Sequence, residues 1–306
     1  IFNKLNIKNM SIFDYLWSFR YFIYDSFKIF LLDYVKTYKN FASILFNAFI
    51  KKNFPINAIF RNGQSLILKD AQQIRFFSSH DSHNYCIPEK TSIIVSPPSL
   101  PPVTFSDWEY GGDLIGVFLI EEYKNLPVKN KTVIDIGGNV GDSAIYFALK
   151  GATKVFSFEL SPRNYEIAKK NISQNKLNDQ IIFNLQAAAK KTGTLKIDPN
   201  IYGNQAQVEH QKDGISIPTI SLDDITKKFV SDKAILKVDC EGCEYDVLNN
   251  APNSVLKCFS HIQIEYHHGY KDLQDKLEEA GFVVHVSRPI RFNKHMFVGH
   301  IYAEQK

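Results

Sequence analysis

The chain has 306 residues, a formal net charge of +4 and 44% hydrophobic residues, enough to bury a full α/β core and a second, smaller unit. Its lysines are dispersed, so no basic stripe points to nucleic acid. Four cysteines (Cys86, Cys240, Cys243, Cys258) are too few for a disulfide scaffold, and no stretch approaches the roughly 20 apolar residues of a membrane span, so a reducing cytoplasm is the expected setting.

Residues 1 to 52 are rich in aromatics and lysine. Asp14, Arg20, Asp25, Lys28, Asp33, Lys36 and Lys39 interrupt apolar residues at helical intervals, which predicts two or three amphipathic helices. A helical cap on the main domain is the favoured reading. Phe41 to Ile50 followed by Lys51-Lys52 is apolar then basic, so peripheral membrane contact is the alternative, although acids interrupt the face that would meet anionic lipid. Arg61-Asn62-Gly63-Gln64 between apolar runs predicts a hairpin, and Pro97-Pro98 and Pro101-Pro102 predict a loop without regular structure. The mainly helical accessory region, residues 1–105, is expected to end there. A helix pattern from Leu114 to Tyr123 follows. The N-terminal helices and the loop around Tyr110 to Asp113 are expected to close over a substrate.

From Lys131 strands and helices alternate. Strands are predicted over Thr132 to Ile136, Lys154 to Glu159, Ile181 to Gln186, Ala234 to Asp239 and His261 to Tyr266. Ser161-Pro162 reads as a helix start, with Ser as cap and Pro in the first turn. Thr194 to Ile197 and Ile215 to Ile217 read as an inserted hairpin, and Phe282 to Ser287 with Met296 to Tyr302 as a closing pair. The alternation predicts a mostly parallel sheet with an antiparallel hairpin at its edge, in a domain spanning residues 106–306.

Between the first of these strands and its helix lies Asp135-Ile136-Gly137-Gly138-Asn139-Val140-Gly141-Asp142-Ser143. Glycines let a ligand approach the backbone, and the first N–H groups of the helix favour an anion. The spacing is not the G-x-G-x-x-G of dinucleotide binders, and no Lys-Ser or Lys-Thr pair follows as in a phosphate loop. D-x-G-x-x-x-G with an acid, Glu159, ending the next strand is the form used to bind S-adenosylmethionine (SAM); Glu159 would hold the ribose diol.

Asp239 ends the fourth main strand and Glu265 lies near the end of the fifth, so several acids would share one crevice. Asp239 or Glu241 could take a proton from a substrate hydroxyl, and His267, in Glu265-Tyr266-His267-His268-Gly269, could do the same near neutral pH. Asp239, Glu241, Glu265 and His267 could instead hold a divalent ion; metal-free catalysis is preferred. Cys240 and Cys243 form a C-x-x-C pair without a second pair at metal spacing, and are read as two small buried cysteines rather than a redox or zinc site.

As a set these residues resemble the FkbM family of SAM-dependent methyltransferases over roughly Gly112 to Val286. The resemblance rests on the Asp135 to Gly141 loop, Phe158-Glu159-Leu160-Ser161-Pro162, Ile220-Ser221-Leu222-Asp223-Asp224, Ile264-Glu265-Tyr266-His267 and, most specifically, Lys237-Val238-Asp239-Cys240-Glu241-Gly242-Cys243-Glu244. It implies a class I methyltransferase fold, with a seven-stranded sheet, and O-methylation of a hydroxyl on a sugar, polyketide or similar small molecule. SAM is expected across the first loop (Asp135, Gly137, Gly138, Asn139, Gly141, Asp142, Ser143), its carboxylate near the N–H groups of Asn139 to Ser143. Gln186 and Ala187 are expected to border the adenine, with Asp239, Glu241, Glu265 and His267 as candidate bases. The expected partner is a small-molecule or glycan hydroxyl acceptor. The absence of an Asn-Pro-Pro-Tyr-type motif speaks against nucleic acid. A nicotinamide-dependent oxidoreductase and a non-catalytic SAM-fold binding module are the alternatives.

Overall fold

A computed structural model describes residues 32–89, 91–107, 113–198, 214–291 and 297–306. The predicted helices before residue 32 and the loop at 110–112 lie outside the described residues. The chain divides into two compact units, one drawn from residues 32–107 and 113–122, the other from 123 onward. The helical pattern that begins at Leu114 therefore belongs with the smaller unit, beyond the boundary expected near residue 105.

The smaller unit begins with helices α1 (Tyr34–Thr37) and α2 (Phe41–Leu45), the second running into a wider helical turn at Phe46–Lys51. Strands β1 (Ile56–Ile59) and β2 (Ser65–Leu68) pair antiparallel around the Asn62-Gly63 turn, where Gly63 takes a φ of +95°. Helix α3 (Ala71–Ser78) is capped by Asp70, whose side chain accepts the Gln73 N–H at 2.8 Å. Three short strands follow: β3 (Cys86–Pro88), β4 (Ser92–Val95) and β5 (Val103–Ser106), forming an antiparallel sheet. The proline-rich stretch is the connection between β4 and β5. The described part of this region thus carries five strands besides its helices, more β structure than the pattern predicts. Phe60 packs on Tyr38 and Phe77, and Phe105 on Phe118, all buried. Phe46 and Ile50 stay exposed.

The larger unit is built on β6 (Thr132–Ile136), β7 (Lys154–Glu159), β8 (Ile181–Leu185), β12 (Ala234–Val238), β13 (Phe259–Tyr266), β14 (Phe282–Val286) and β16 (Phe297–Gln305). In the sheet they stand in the order β14-β16-β13-β12-β6-β7-β8. Every neighbouring pair is parallel except those that β16 makes with β13 and β14. Short β9 (Ala187–Ala188), β10 (Gly193–Ile197) and β11 (Ile215–Ile220) form the inserted hairpin, with β9 added parallel to β11; β15 (Ile290–Arg291) pairs with β16.

Helix α4 (Asp142–Leu149) follows β6 and is buried along almost its whole length. Helix α5 (Pro162–Gln174) begins at the Ser161 cap, and α6 (Leu222–Phe229) at the Ser221 cap, each cap accepting the N–H three residues on. Helices α7 (Glu244–Asn249), α8 (Asn253–Leu256) and α9 (Lys271–Glu279) complete the unit. Ile134, Ile136, Leu236, Val238, Ile262 and Ile264, all essentially without exposure, centre one core. Among the described residues no helix is long and apolar enough to cross a membrane.

The strand order reverses at β6: the chain moves outward through β7 and β8, then returns to add β12 on the other side. In open parallel sheets the crevice for a ligand opens at the carboxyl ends of the strands at this switch point. Gly137 and Asp239, the residues leaving β6 and β12, lie there.

Candidate active site

The loop after β6 is held by close contacts that only glycine permits. A Cβ on Gly137, at φ +79°, would fall 1.7 Å from the Asp239 carbonyl oxygen, and one on Gly138 would fall 2.0 Å from Ser157 Oγ. The Gly137 and Gly138 N–H groups both donate to the Phe158 carbonyl at 3.0 Å. Gly141, at φ +86°, caps α4 and passes the Ala168 methyl, which a Cβ there would meet at 3.3 Å. Three N–H groups expected to face an anion are engaged internally: Asn139 donates to Glu159, Gly141 to the Gly138 carbonyl, and Ser143 to Asp142 Oδ1.

Glu159, at the end of β7, accepts the Asn139 N–H at Oε2 (2.9 Å) and the Ser161 N–H at Oε1 (2.7 Å). The Leu160 N–H also acts on this carboxylate. Burial pushes this carboxyl up to about 7, against the opposing effect of those N–H groups and the Lys237 charge. Gln186 sends its side-chain N–H to the Thr219 carbonyl at 3.3 Å, and Ala187 is buried in β9. Gln186 thus braces the inserted hairpin.

Asp135, expected among the ligand contacts, is fully buried. Its Oδ2 accepts Ser157 Oγ–H (2.7 Å) and Ser143 Oγ–H (3.0 Å), and its Oδ1 lies 3.2 Å from Lys237 Nζ. Lys237 points inward from the middle of β12, donating to the Gly137 carbonyl at 2.7 Å with Asp239 Oδ2 at 3.8 Å. Burial alone would lower its pKa; Asp135, Asp239 and Asp142 outweigh that and hold it above the ordinary lysine value. A lysine amid Ala234-Ile235-Leu236 and Val238 was the available sequence signal, because a strand buried on both faces keeps a charge only when it is paired.

Beyond β12, Asp239, Glu241 and Glu244 gather around His267 from the end of β13. The imidazole Nε2 lies 3.3 Å from Glu241 Oε2 and Nδ1 lies 3.1 Å from Glu244 Oε1. Burial would lower the His267 pKa, but the hydrogen bond and charge of Glu244, with Glu241 and Asp239, raise it. Glu241 is pushed up to about 7, first by its own burial. Glu244, which enters the sequence reading only as the end of the Lys237 to Glu244 run, is fully buried and accepts the Cys240 N–H at 3.0 Å. Glu265 is opposite His300 in the β13–β16 register, and the carboxylates that meet the imidazole are Glu241 and Glu244. Of the two histidines, His267 joins this cluster, while the His268 N–H donates to Tyr245 Oη.

The two cysteines of the C-x-x-C pair are not separate buried thiols. Cys240 and Cys243 are joined in a disulfide and both are half-buried. It closes the turn carrying Glu241, at φ +57°, and Gly242, at φ +122°.

The sheet order, the glycine loop at its switch point and the acid ending the adjacent strand together define a class I methyltransferase fold. Residues 135–284 match the model of the methyltransferase FkbM domain, so the chain carries an FkbM domain there. Among curated proteins it is similar to uncharacterized protein 158B of Sulfolobus islandicus rod-shaped virus 1, 40% identical over 60 residues, or 19% of this chain and 38% of that protein. It is also similar to ribosomal protein L11 methyltransferase of Carboxydothermus hydrogenoformans, 41% identical over 51 residues, 17% of each. The chain therefore spans well under half the length of these relatives. Among solved structures it is similar to methyltransferase FkbM from Methylobacillus flagellatus KT, 12% identical with a TM-score of 0.43, over 94% of this chain and 60% of that one.

Proposed function

We propose that the chain transfers a methyl group from SAM to a hydroxyl oxygen on a small molecule or glycan. The observation that carries this reading is the pair of acidic stations on either side of the strand-order reversal: Glu159 against the glycine loop, and Asp239, Glu241 and His267 at the end of the adjoining strands. Bound SAM supplies an electrophilic methyl on a positively charged sulfur. The site fits it in two respects. Glu159 ends its strand beside the loop with a carboxylate suited to accept from a ribose diol, and the backbone at Gly137 and Gly138 carries no Cβ where a side chain would fill the loop.

Asp135 acts through its partners, fixing Ser143 at the start of α4, Ser157 on β7 and Lys237 on β12. Lys237 in turn holds the Gly137 carbonyl and stands beside Asp239, so the glycine loop and the acid are positioned together. The remaining task is to align the acceptor oxygen, exclude water and take up the hydroxyl proton. Asp239, Glu241 and His267 offer the proton acceptors, and Glu244 orients the His267 ring through Nδ1.

Calorimetric titration of the full chain with SAM, S-adenosylhomocysteine and NAD tests the cofactor. Micromolar binding of the first two, without NAD, is expected; binding of NAD alone would discard methyl transfer. Isotopically labelled SAM offered with hydroxylated metabolites, glycans and tRNA tests the acceptor. Label in tRNA alone would sink the hydroxyl assignment.

A further inference from the structure

The acids around His267 exceed what a proton acceptor needs. Asp239, Glu244 and His267 each present one ligand-type atom, and these atoms all lie within 4.8 Å of one another. Glu244 is the most informative member. One oxygen accepts the Cys240 N–H and faces His267 Nδ1; the other, Oε2, is buried and has no hydrogen-bond partner. Leaving such a group unsatisfied is costly, and more so when it is charged. The surrounding charges do not balance either. Asp239, Glu241 and Glu244 face His267 and Lys237, and Lys237 is already shared with Asp135.

We propose that Asp239, Glu244 and His267 form a divalent-cation site with two oxygen ligands and one nitrogen ligand. Mixed carboxylate and imidazole ligands suit a first-row ion such as Mn2+, Fe2+ or Zn2+ better than Ca2+ or Cu+. The imidazole binds a metal only through an unprotonated nitrogen, so the ion displaces a proton that otherwise bridges the ring to a carboxylate. The Cys240–Cys243 disulfide spans the turn between Asp239 and Glu244 and so limits how far these two ligands can separate. This set differs from the one the sequence suggests (Asp239, Glu241, Glu265 and His267): Glu244 enters, and Glu241 and Glu265 are left out.

Three protein ligands leave coordination positions for water or for an acceptor oxygen. A cation there lowers the pKa of a bound hydroxyl and brings it toward the proton acceptor Glu241. That use of the ion rests on the methyl-transfer reading; its binding does not.

The test uses the full chain, stripped of metal with a chelator and dialysed. It is titrated with Mn2+ alone, read by loss of the free-ion electron paramagnetic resonance signal, and in a second series with Zn2+ by calorimetry. SAM affinity is measured on the same samples. One ion per chain at micromolar affinity is expected. Glu244→Gln and His267→Gln should each weaken it by at least about tenfold, the cost of disturbing even an outer-shell partner, with SAM affinity retained. Circular dichroism checks the fold of each variant, and Asp239→Asn, at a partly exposed position, reads the same loss should Glu244→Gln fail to fold. Failure of both ions to bind at one per chain, or binding unchanged in the variants, overturns the site. SAM binding without the ion removes the cation and leaves methyl transfer standing; ion binding without SAM does the reverse.

Discussion

Lys237 Nζ lies 3.2 Å from Asp135 Oδ1 and 3.8 Å from Asp239 Oδ2, so one buried ammonium joins the strand that begins the glycine loop to the acid at the end of its neighbour. Removing one partner of a buried pair leaves the other charge uncompensated. Lys237→Met should therefore destabilise the protein by about 3–5 kcal/mol, and Lys237→Met with Asp135→Asn by less than Lys237→Met alone. Urea unfolding of the two variants checks the order; a double variant that loses more than Lys237→Met alone would contradict the pairing.

Glu159 gives SAM binding a pH dependence. Its carboxyl is pushed up to about 7 by burial, and the proposed role requires the ionised form. Affinity should fall as the pH drops below about 7, and Glu159→Gln should bind weakly with a flat profile. The sign for stability is opposite. The unfolded chain releases this proton near the ordinary value of 4.5 while the folded chain holds it to about 7, so this group lowers stability as the pH rises between those values and adds no further change above. Glu159→Gln should remove that descent from a series of denaturation curves.

The glycines of the loop should not be equally tolerant. Gly141→Ala meets Ala168 no closer than 3.3 Å, at φ +86°, an expected cost of about 1–2 kcal/mol. Gly137→Ala sets a Cβ 1.7 Å from a backbone oxygen at φ +79°, where neither partner is the end of a flexible side chain. It should lose more stability and SAM affinity than Gly141→Ala, by thermal melting and calorimetry; a milder Gly137 variant would contradict the close approach.

Asp239→Asn and His267→Ala should bind SAM nearly as well as the parent and turn over more slowly. Normal turnover in both would remove these groups from proton transfer. The readout is a single-turnover rate with an acceptor found by the labelling screen.

Thiol labelling separates the cysteines. Cys86 is buried and its thiol is pushed up to about 12, whereas Cys258 is half-buried. Iodoacetamide under native, non-reducing conditions should modify Cys258 and spare Cys86, with Cys240 and Cys243 reacting only after a reductant is added. Peptide mass mapping reads each position; early modification of Cys240 would contradict the disulfide.

Features decided by neighbouring residues were legible in the sequence. Ser161-Pro162 starts a helix because cap and first-turn residue stand side by side, and the glycine loop declares itself by spacing. The three short strands between Cys86 and Ser106 have three or four residues each and flank prolines, too short a run for alternation to stand out. Glu244 and Gln186 are different cases. Their side chains find partners far along the chain, His267 at 23 positions and Thr219 at 33, and local pattern carries no information on such meetings. Cys240 and Cys243 misled because burial and bonding give the same composition; the backbone turn that brings them together rests on positive φ values at Glu241 and Gly242.

The near-touch between Gly137 and the Asp239 carbonyl also bears on how this protein could be recombined with relatives. The two loops share a wall with no slack, so a chimera that takes residues 135–142 from one parent and 239–244 from another joins surfaces never shaped to each other. Crossovers that keep both segments from a single parent should yield folded libraries, with diversity placed instead in the insertion between β9 and α6.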